Sequence, residues 1–311
     1  MKKYFLIIVL FLLSHEGKSQ QGEKVYMFSY FKDNGQDGLH LAYSYDGYSF
    51  KVLHNDSSFL KPVISKDKLM RDPCIIRGAD GLFHMVWTVS WTDKGIGYAS
   101  SADLLHWNQQ QYIPVMAEED SAKNCWAPEI IYDAKNKEYM IYWASTISGR
   151  FVEGDTSGDD KYNHRIYYVV TKDFKSFRKA KLLYNGRFNV IDATIQKIGP
   201  GYVMFLKDET RHPAQKNLRI ATSKFLTKSY GNASGPITGQ YWAEGPTAIK
   251  VDGKWVVYFD KYTEHKYGAI SSADLKHWTD ISGKINFPPG TRHGTVFTIS
   301  NKELSKILND Y

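Results

Sequence analysis

Cysteine is almost missing from this chain of 311 residues, which holds only Cys74 and Cys125. Two thiols exclude a disulfide scaffold, and neither CxxC nor Cys/His zinc spacing occurs, so both read as buried free thiols, with one bridge as the alternative. Long apolar runs are missing as well. The run at residues 4–13 is about half of the roughly 20 residues that a bilayer-spanning helix needs, which excludes membrane insertion through it. Helical periodicity is hard to find outside residues 301–308. Finally, the 40 basic residues exceed the 33 acidic ones for a net charge of +7, yet they are scattered and no nucleic-acid motif accompanies them. That balance reads as ordinary solvated surface, with no nucleic-acid partner.

What is present begins with a leader. Lys2 and Lys3 precede the apolar run at residues 4–13, and a polar stretch follows to Gln20, the pattern of a secretory signal. Residues 1–20 are therefore expected to be removed, leaving residues 21–311 as one domain in the periplasm or outside the cell. No cysteine near the cut offers a site for a lipid. At 42% hydrophobic and 15% aromatic, the remainder has ample material for a core.

The mature chain reads as short strands, rich in β-branched and aromatic residues and separated by Gly, Asp, Asn and Lys turns. Two elements repeat along it. One is a strand, then Ser or Thr, then Asp, then an aromatic residue: LAYSYDGYSF at 41–50, YASSADLLHW at 98–107, VVTKDFKSF at 169–177 and AISSADLKHW at 269–278, with a degenerate copy, IATSKFLTKSY, at 220–230. The other, upstream of it in four units, has a polar or Pro-containing start, an apolar strand, a turn and an aromatic strand. Its copies start RDP at Arg71, WAP at Trp126, IDA at Ile191 and EGP at Glu244. The first unit lacks this start and begins with VYMFSY at 25–30, so HGTVFTIS at 293–300 is expected to supply its inner strand. The reading is all-β: a five-bladed β-propeller closed by the C-terminal strand joining the N-terminal blade.

Inner strands of a propeller run beside one axis, so their starts converge. Here they bring Asp72, Ala127-Pro128-Glu129, Asp192, Glu244 and Arg292-His293-Gly294 to one cavity. Carboxylates so gathered suit hydrolysis of a glycosidic bond, with one acid protonating the leaving oxygen and one carboxylate activating water. A third nearby raises the pKa of the acid by repulsion. Trp91, Trp126, Tyr241 and Trp242 cluster near the same starts, where they stack on a sugar or fill the space between blades. Arg292 is a candidate for a sugar hydroxyl or for neutralising the carboxylates. A sugar-binding propeller without catalysis is the competing class, but such propellers repeat one set of binding residues, whereas these strand starts differ chemically.

The succession RDP, WAP, IDA and EGP resembles glycoside hydrolase family 43 over nearly all of the mature chain. The resemblance implies an inverting enzyme with Asp72 as general base, Glu244 as general acid and Asp192 as the residue that tunes and orients the acid. Two departures are Ala193 where Pro is common, and a full set of strands ahead of Asp72, which keeps Asp33 and Asp37 as weaker candidates for the base. Related retaining propellers of the invertase group have a nucleophile in an Asn-Asp-Pro-like start, and none precedes Arg71. The resemblance also implies a structural calcium ion near His293 that catalysis does not require, and an oligo- or polysaccharide partner of plant origin. With no appended domain after Tyr311, it tilts towards an exo-acting α-L-arabinofuranosidase. β-D-xylosidase, β-galactosidase and endo-arabinanase are the alternatives, and the polar insertion at residues 149–165 is a candidate wall of the pocket.

Overall fold

The computed structural model describes residues 24–151 and 161–310. The expected leader and most of the 149–165 insertion lie outside them. Five antiparallel sheets hold nearly all of the regular secondary structure of the described residues. The first holds β1 (Lys24–Tyr30), β2 (His40–Ser44) and β3 (Lys51–Val52). The second holds β4 (Arg71–Arg77), β5 (Phe83–Thr88), β6 (Ile96–Ser101) and β7 (Gln111–Ile113). The third follows with β8 (Trp126–Asp133), β9 (Glu138–Ser145), β10 (Arg165–Thr171) and β11 (Lys181–Tyr184). β12 (Val190–Ile198), β13 (Gly201–Asp208) and β14 (Asn217–Ser223) form the fourth. The fifth contains β15 (Glu244–Val251), β16 (Lys254–Lys261), β17 (Lys266–Ser272) and β18 (Thr279–Asp280). β19 (Thr295–Ser300) then pairs with β1, from Lys24 opposite Ser300 to Ser29 opposite Thr295. The expected closure is therefore present, with the strand starting two residues after His293.

The repeated Ser/Thr-x-Asp has a simple cause. The third strands β2, β6, β10 and β17 end on Ser44, Ser101, Thr171 and Ser272, and the Asp two residues on accepts backbone N–H bonds from the turn that follows. Asp46 takes those of Tyr48 and Ser49, Asp103 those of Leu105 and His106, and Asp274 those of Lys276 and His277. The degenerate copy has Phe225 in place of the Asp, and its blade is the one with three strands. Gly231, Ser234 and Ile237 still donate backbone bonds to β14, so an irregular segment covers that edge.

Apolar side chains fill the spaces between blades. Trp87 and Phe297 share one core, Val86 and Trp143 the next, Tyr142 and Met204 a third, Phe205 and Val257 a fourth, and Phe28 and Tyr258 close the circle. Inner strands contact one another in the ring β4, β8, β12, β15, β19 and back to β4. One helix follows, α1 (Asn301–Asn309), opened by a capping box between Ser300 and Glu303. No helix among the described residues is long and apolar enough to cross a membrane. Cys74 and Cys125 are both buried and free.

Candidate active site

Four inner strands share one irregularity near their starts. Arg71 faces Thr88, Trp126 faces Ala144, Ile191 faces Lys207 and Glu244 faces Asp260, after which each inner strand has one residue more than its partner before pairing resumes. The extra residue is left-handed: Asp72 (φ 53°), Ala127 (φ 46°), Asp192 (φ 52°) and Gly245 (φ 57°). Such bulges kink a strand and re-aim its side chains. Asp72 and Asp192 are thus structural equivalents, whereas Glu244 is not, since it stands one position earlier, level with Arg71 and Trp126. Gly245 holds the bulge position because a Cβ there would run into the His293 ring.

Asp72 is fixed from two sides. Thr88 donates its hydroxyl to Oδ2 at 2.7 Å, and His293 Nδ1 lies 3.3 Å from Oδ1. The same Thr88 oxygen accepts the amide of Ala127 at 2.8 Å, tying the bulges of neighbouring blades together. Burial alone would raise the carboxyl of Asp72, but the His293 charge and hydrogen bond, with Arg71 and Thr88, hold it down at about 2. Burial pulls the His293 ring the other way from its carboxylates, and Asp72, backed by Asp192 and Glu244, lifts it to about 9.

Asp192 feels the charges of both other carboxylates. Its Oδ2 accepts the Gly245 amide at 3.0 Å, which fixes the peptide that carries Glu244. Burial pushes its carboxyl up to about 6, with Glu244 and Asp72 adding repulsion against the pull of His293 and Lys207. Glu244 sits between two cations: Lys207 Nζ donates to Oε2 at 2.9 Å and Arg292 Nη2 to Oε1 at 3.3 Å. Arg292 also donates from Nε to Asp260 at 2.7 Å. Burial and the neighbouring Glu244 raise Asp260 to about 6 against that contact.

The tryptophans stand in two groups. On the side of Asp72, the Arg71 guanidinium lies 4.4 Å from the centre of the exposed Trp91 ring. Half-buried Trp126 packs edge-on to Trp91 at 5.6 Å and donates its N–H to the Trp91 carbonyl. On the side of Glu244, Trp242 packs on Tyr262, whose ring lies 4.7 Å from Lys207 Nζ. Tyr241 belongs elsewhere: it stacks on Phe259 and donates its hydroxyl to Asp280, so it is filler between strands. Asp37 is engaged with His40 at 2.8 Å, half-exposed, and no contact links it or Asp33 to the three carboxylates. His293 Nδ1 is engaged by Asp72, and among the described residues no group of three or more His, Cys, Asp and Glu side chains is arranged to hold an ion.

Sequence reasoning missed Thr88, Lys207 and Asp260. All three stand at the last or next-to-last position of the second strand of a blade, opposite an inner-strand start, as the pairings above give. The signal was a polar residue where an apolar aromatic run gives out, as in FHMVWT, YVMFLKD and WVVYFDK.

A five-bladed propeller whose inner-strand starts gather three interacting carboxylates has the form of a carbohydrate-cleaving enzyme. Residues 23–305 match the family described as "Probable glycosyl hydrolase domain", a group related to glycoside hydrolase family 43, and the chain belongs to it. An α-L-arabinofuranosidase of Bifidobacterium longum subsp. longum is 25% identical over 77% of this chain, which spans 25% of the length of that relative. The α-L-arabinofuranosidase from Lactobacillus brevis has a similar fold, with a TM-score of 0.57 at 16% identity over 75% of this chain and 80% of the other. So has a thermostable family-43 glycoside hydrolase, with a TM-score of 0.55 at 16% identity over 73% and 81%.

Proposed function

We propose that the protein is an exported, inverting glycoside hydrolase that removes a terminal sugar, foremost an α-L-arabinofuranosyl unit, from side chains of plant polysaccharides. The observation that carries this is the division of labour among the three carboxylates. Asp72 is kept ionised by His293 and Thr88, and an ionised carboxylate with fixed orientation is what a general base requires. Glu244, the most accessible of the three with a side chain 20% exposed, is engaged by Lys207 and Arg292.

In the proposed reaction a water molecule gives a proton to Asp72 as its oxygen bonds to the anomeric carbon. The bond from that carbon to the leaving oxygen breaks on the other face, and Glu244 gives its proton to that oxygen. Asp192 holds the Glu244–Gly245 peptide in place through the Gly245 amide and sets a second negative charge beside the acid. Trp91 with Trp126, and Trp242, are proposed to bound the sugar on its two sides, and Arg292 to contact a hydroxyl once Glu244 is neutral. Such walls suit a chain end more than a continuous groove. The preference for arabinofuranose is supported by the names of the Bifidobacterium and Lactobacillus relatives.

A panel of aryl glycosides tests this reading, with α-L-arabinofuranoside, β-D-xyloside and β-D-galactoside compared on the same preparation. The arabinofuranoside is expected to be the best substrate. Glu244→Ala is expected to lose about 10²–10⁴-fold on a poor leaving group while keeping its melting temperature. Equal activity in the variant would remove Glu244 from the mechanism, and no hydrolysis of any member would favour a binding protein.

A further inference from the structure

Beyond the carboxylates, the structure holds a chain of buried charges that the reaction as described does not use. Lys207, with 2% of its side chain exposed, is shared by two acids: Glu244 Oε2 at 2.9 Å and Glu209 Oε2 at 2.6 Å. Glu209 in turn accepts from Lys216, a second buried lysine, through its other oxygen. A buried ammonium left without a partner is strongly destabilising. If Glu244 were the sole partner of Lys207, each proton taken up by Glu244 would strand that cation, and the acid would resist protonation. Glu209 removes the conflict.

We infer that Glu209 is the standby counter-ion of Lys207, and that the two are positioning residues which let Glu244 gain and release its proton without stranding a buried charge. This rests on Glu244 being the general acid. Besides Lys207, the charged and titratable groups facing Glu244 are Asp192 from β12, Asp260 from β16, and Arg292 and His293 ahead of β19. Arg71, Tyr262 and Tyr267 act from further out. Glu209 faces Lys207, Lys216, Tyr262 and His164. Since the other neighbours of Glu244 stay in place, changing Glu209 or Lys207 alters one contribution to its charge balance.

The test is the basic limb of the kcat/KM pH profile, which reports loss of the proton from the acid in the free enzyme. Glu209→Gln removes a negative charge and leaves Lys207 wholly to Glu244, so the ionised form gains and the limb should move to lower pH by about one unit. Lys207→Met removes the cation and leaves Glu209 to repel Glu244, so the limb should move the opposite way. Glu209→Asp should restore the parental position, which keeps the test decisive even if Lys207→Met fails to fold. An aryl glycoside with a dinitrophenolate leaving group needs no acid, and its kcat should be nearly unchanged in Glu209→Gln. A limb that stays in place in Glu209→Gln, or moves the same way in both variants, overturns the inference. Glu244→Gln is the control: parental activity on both substrates would instead remove the reading of Glu244 as the acid.

Discussion

Asp72 owes its readiness to a single hydroxyl as much as to the imidazolium beside it. Thr88 donates to Asp72 while accepting from the Ala127 amide, so it sets the direction of the base and the spacing of two blades at once. Thr88→Val keeps the shape and removes both bonds. We expect kcat/KM to fall about tenfold through misorientation of the base, with about 1–3 kcal/mol of stability lost because a buried amide goes unpaired. Steady-state kinetics with a thermal melt check this, and unaltered kinetics would show that His293 alone suffices. The acids Asp72, Asp192 and Glu244 are legible in the sequence because each stands in a short pattern with Pro, Ala or Gly behind it. Thr88, Lys207 and Asp260 are not, because a polar residue at the end of an apolar strand normally marks only where the strand meets solvent. What makes them functional is pairing with an inner-strand start, and pairing is a property of two strands.

The element that builds the site is a bulge used four times. Proline has no N–H to offer a ladder and is at home at such irregularities, which explains why Pro73, Pro128 and Pro246 each follow a left-handed residue. Ala193 takes the same place after Asp192 without disturbing the bulge, so the departure from the family pattern there is of little structural consequence. Asp tolerates left-handed backbone better than most residues, but Gly245 answers to space as well as to φ. Gly245→Ala would drive a methyl group into the His293 ring, and overpacking of this kind costs about 1–3 kcal/mol. Because the ring pairs with Asp72, the substitution should lower kcat together with the melting temperature, measurable side by side. A melting temperature equal to the parent would mean that the ring moves aside freely. The hairpins, the Ser/Thr-x-Asp turns and their blade spacing were all readable as repeats. The bulge was not, since one extra residue changes no composition and no periodicity until the register of both strands is known.

Across the whole molecule, closure of the ring by β19 was foreseeable from the missing inner strand of the first blade, and it has an electrical consequence. The segment that closes the ring also carries Arg292 and His293 into the acidic axis. Several groups there titrate higher in the folded protein than their ordinary values: His293 at about 9 from 6.5, Asp192 and Asp260 at about 6 from 3.8, and Glu129 at about 7 from 4.5, the last through burial on the axis. A group raised on folding contributes stability that is complete below its unfolded value and lost as pH rises through its folded one. All four therefore weaken the fold as pH goes from about 4 to about 9. Asp72 works the other way but only at the acid end, since its contribution is present above 3.8 and lost as pH falls through about 2. His164, which burial lowers to about 4, and His84, lowered likewise by burial, oppose them up to about pH 6.5, but the four raised groups outweigh these two, so the melting temperature should decline from about pH 5 towards pH 9. A rise between pH 5 and pH 8 in a thermal-melt series would contradict this electrostatic picture. The division of the carboxylates into base, acid and modulator meets its most direct test in the stereochemistry of the product. Proton NMR of aryl α-L-arabinofuranoside hydrolysis, followed before mutarotation sets in, should show the first sugar released with the β configuration. First appearance of the α anomer would require a covalent intermediate and would contradict the account.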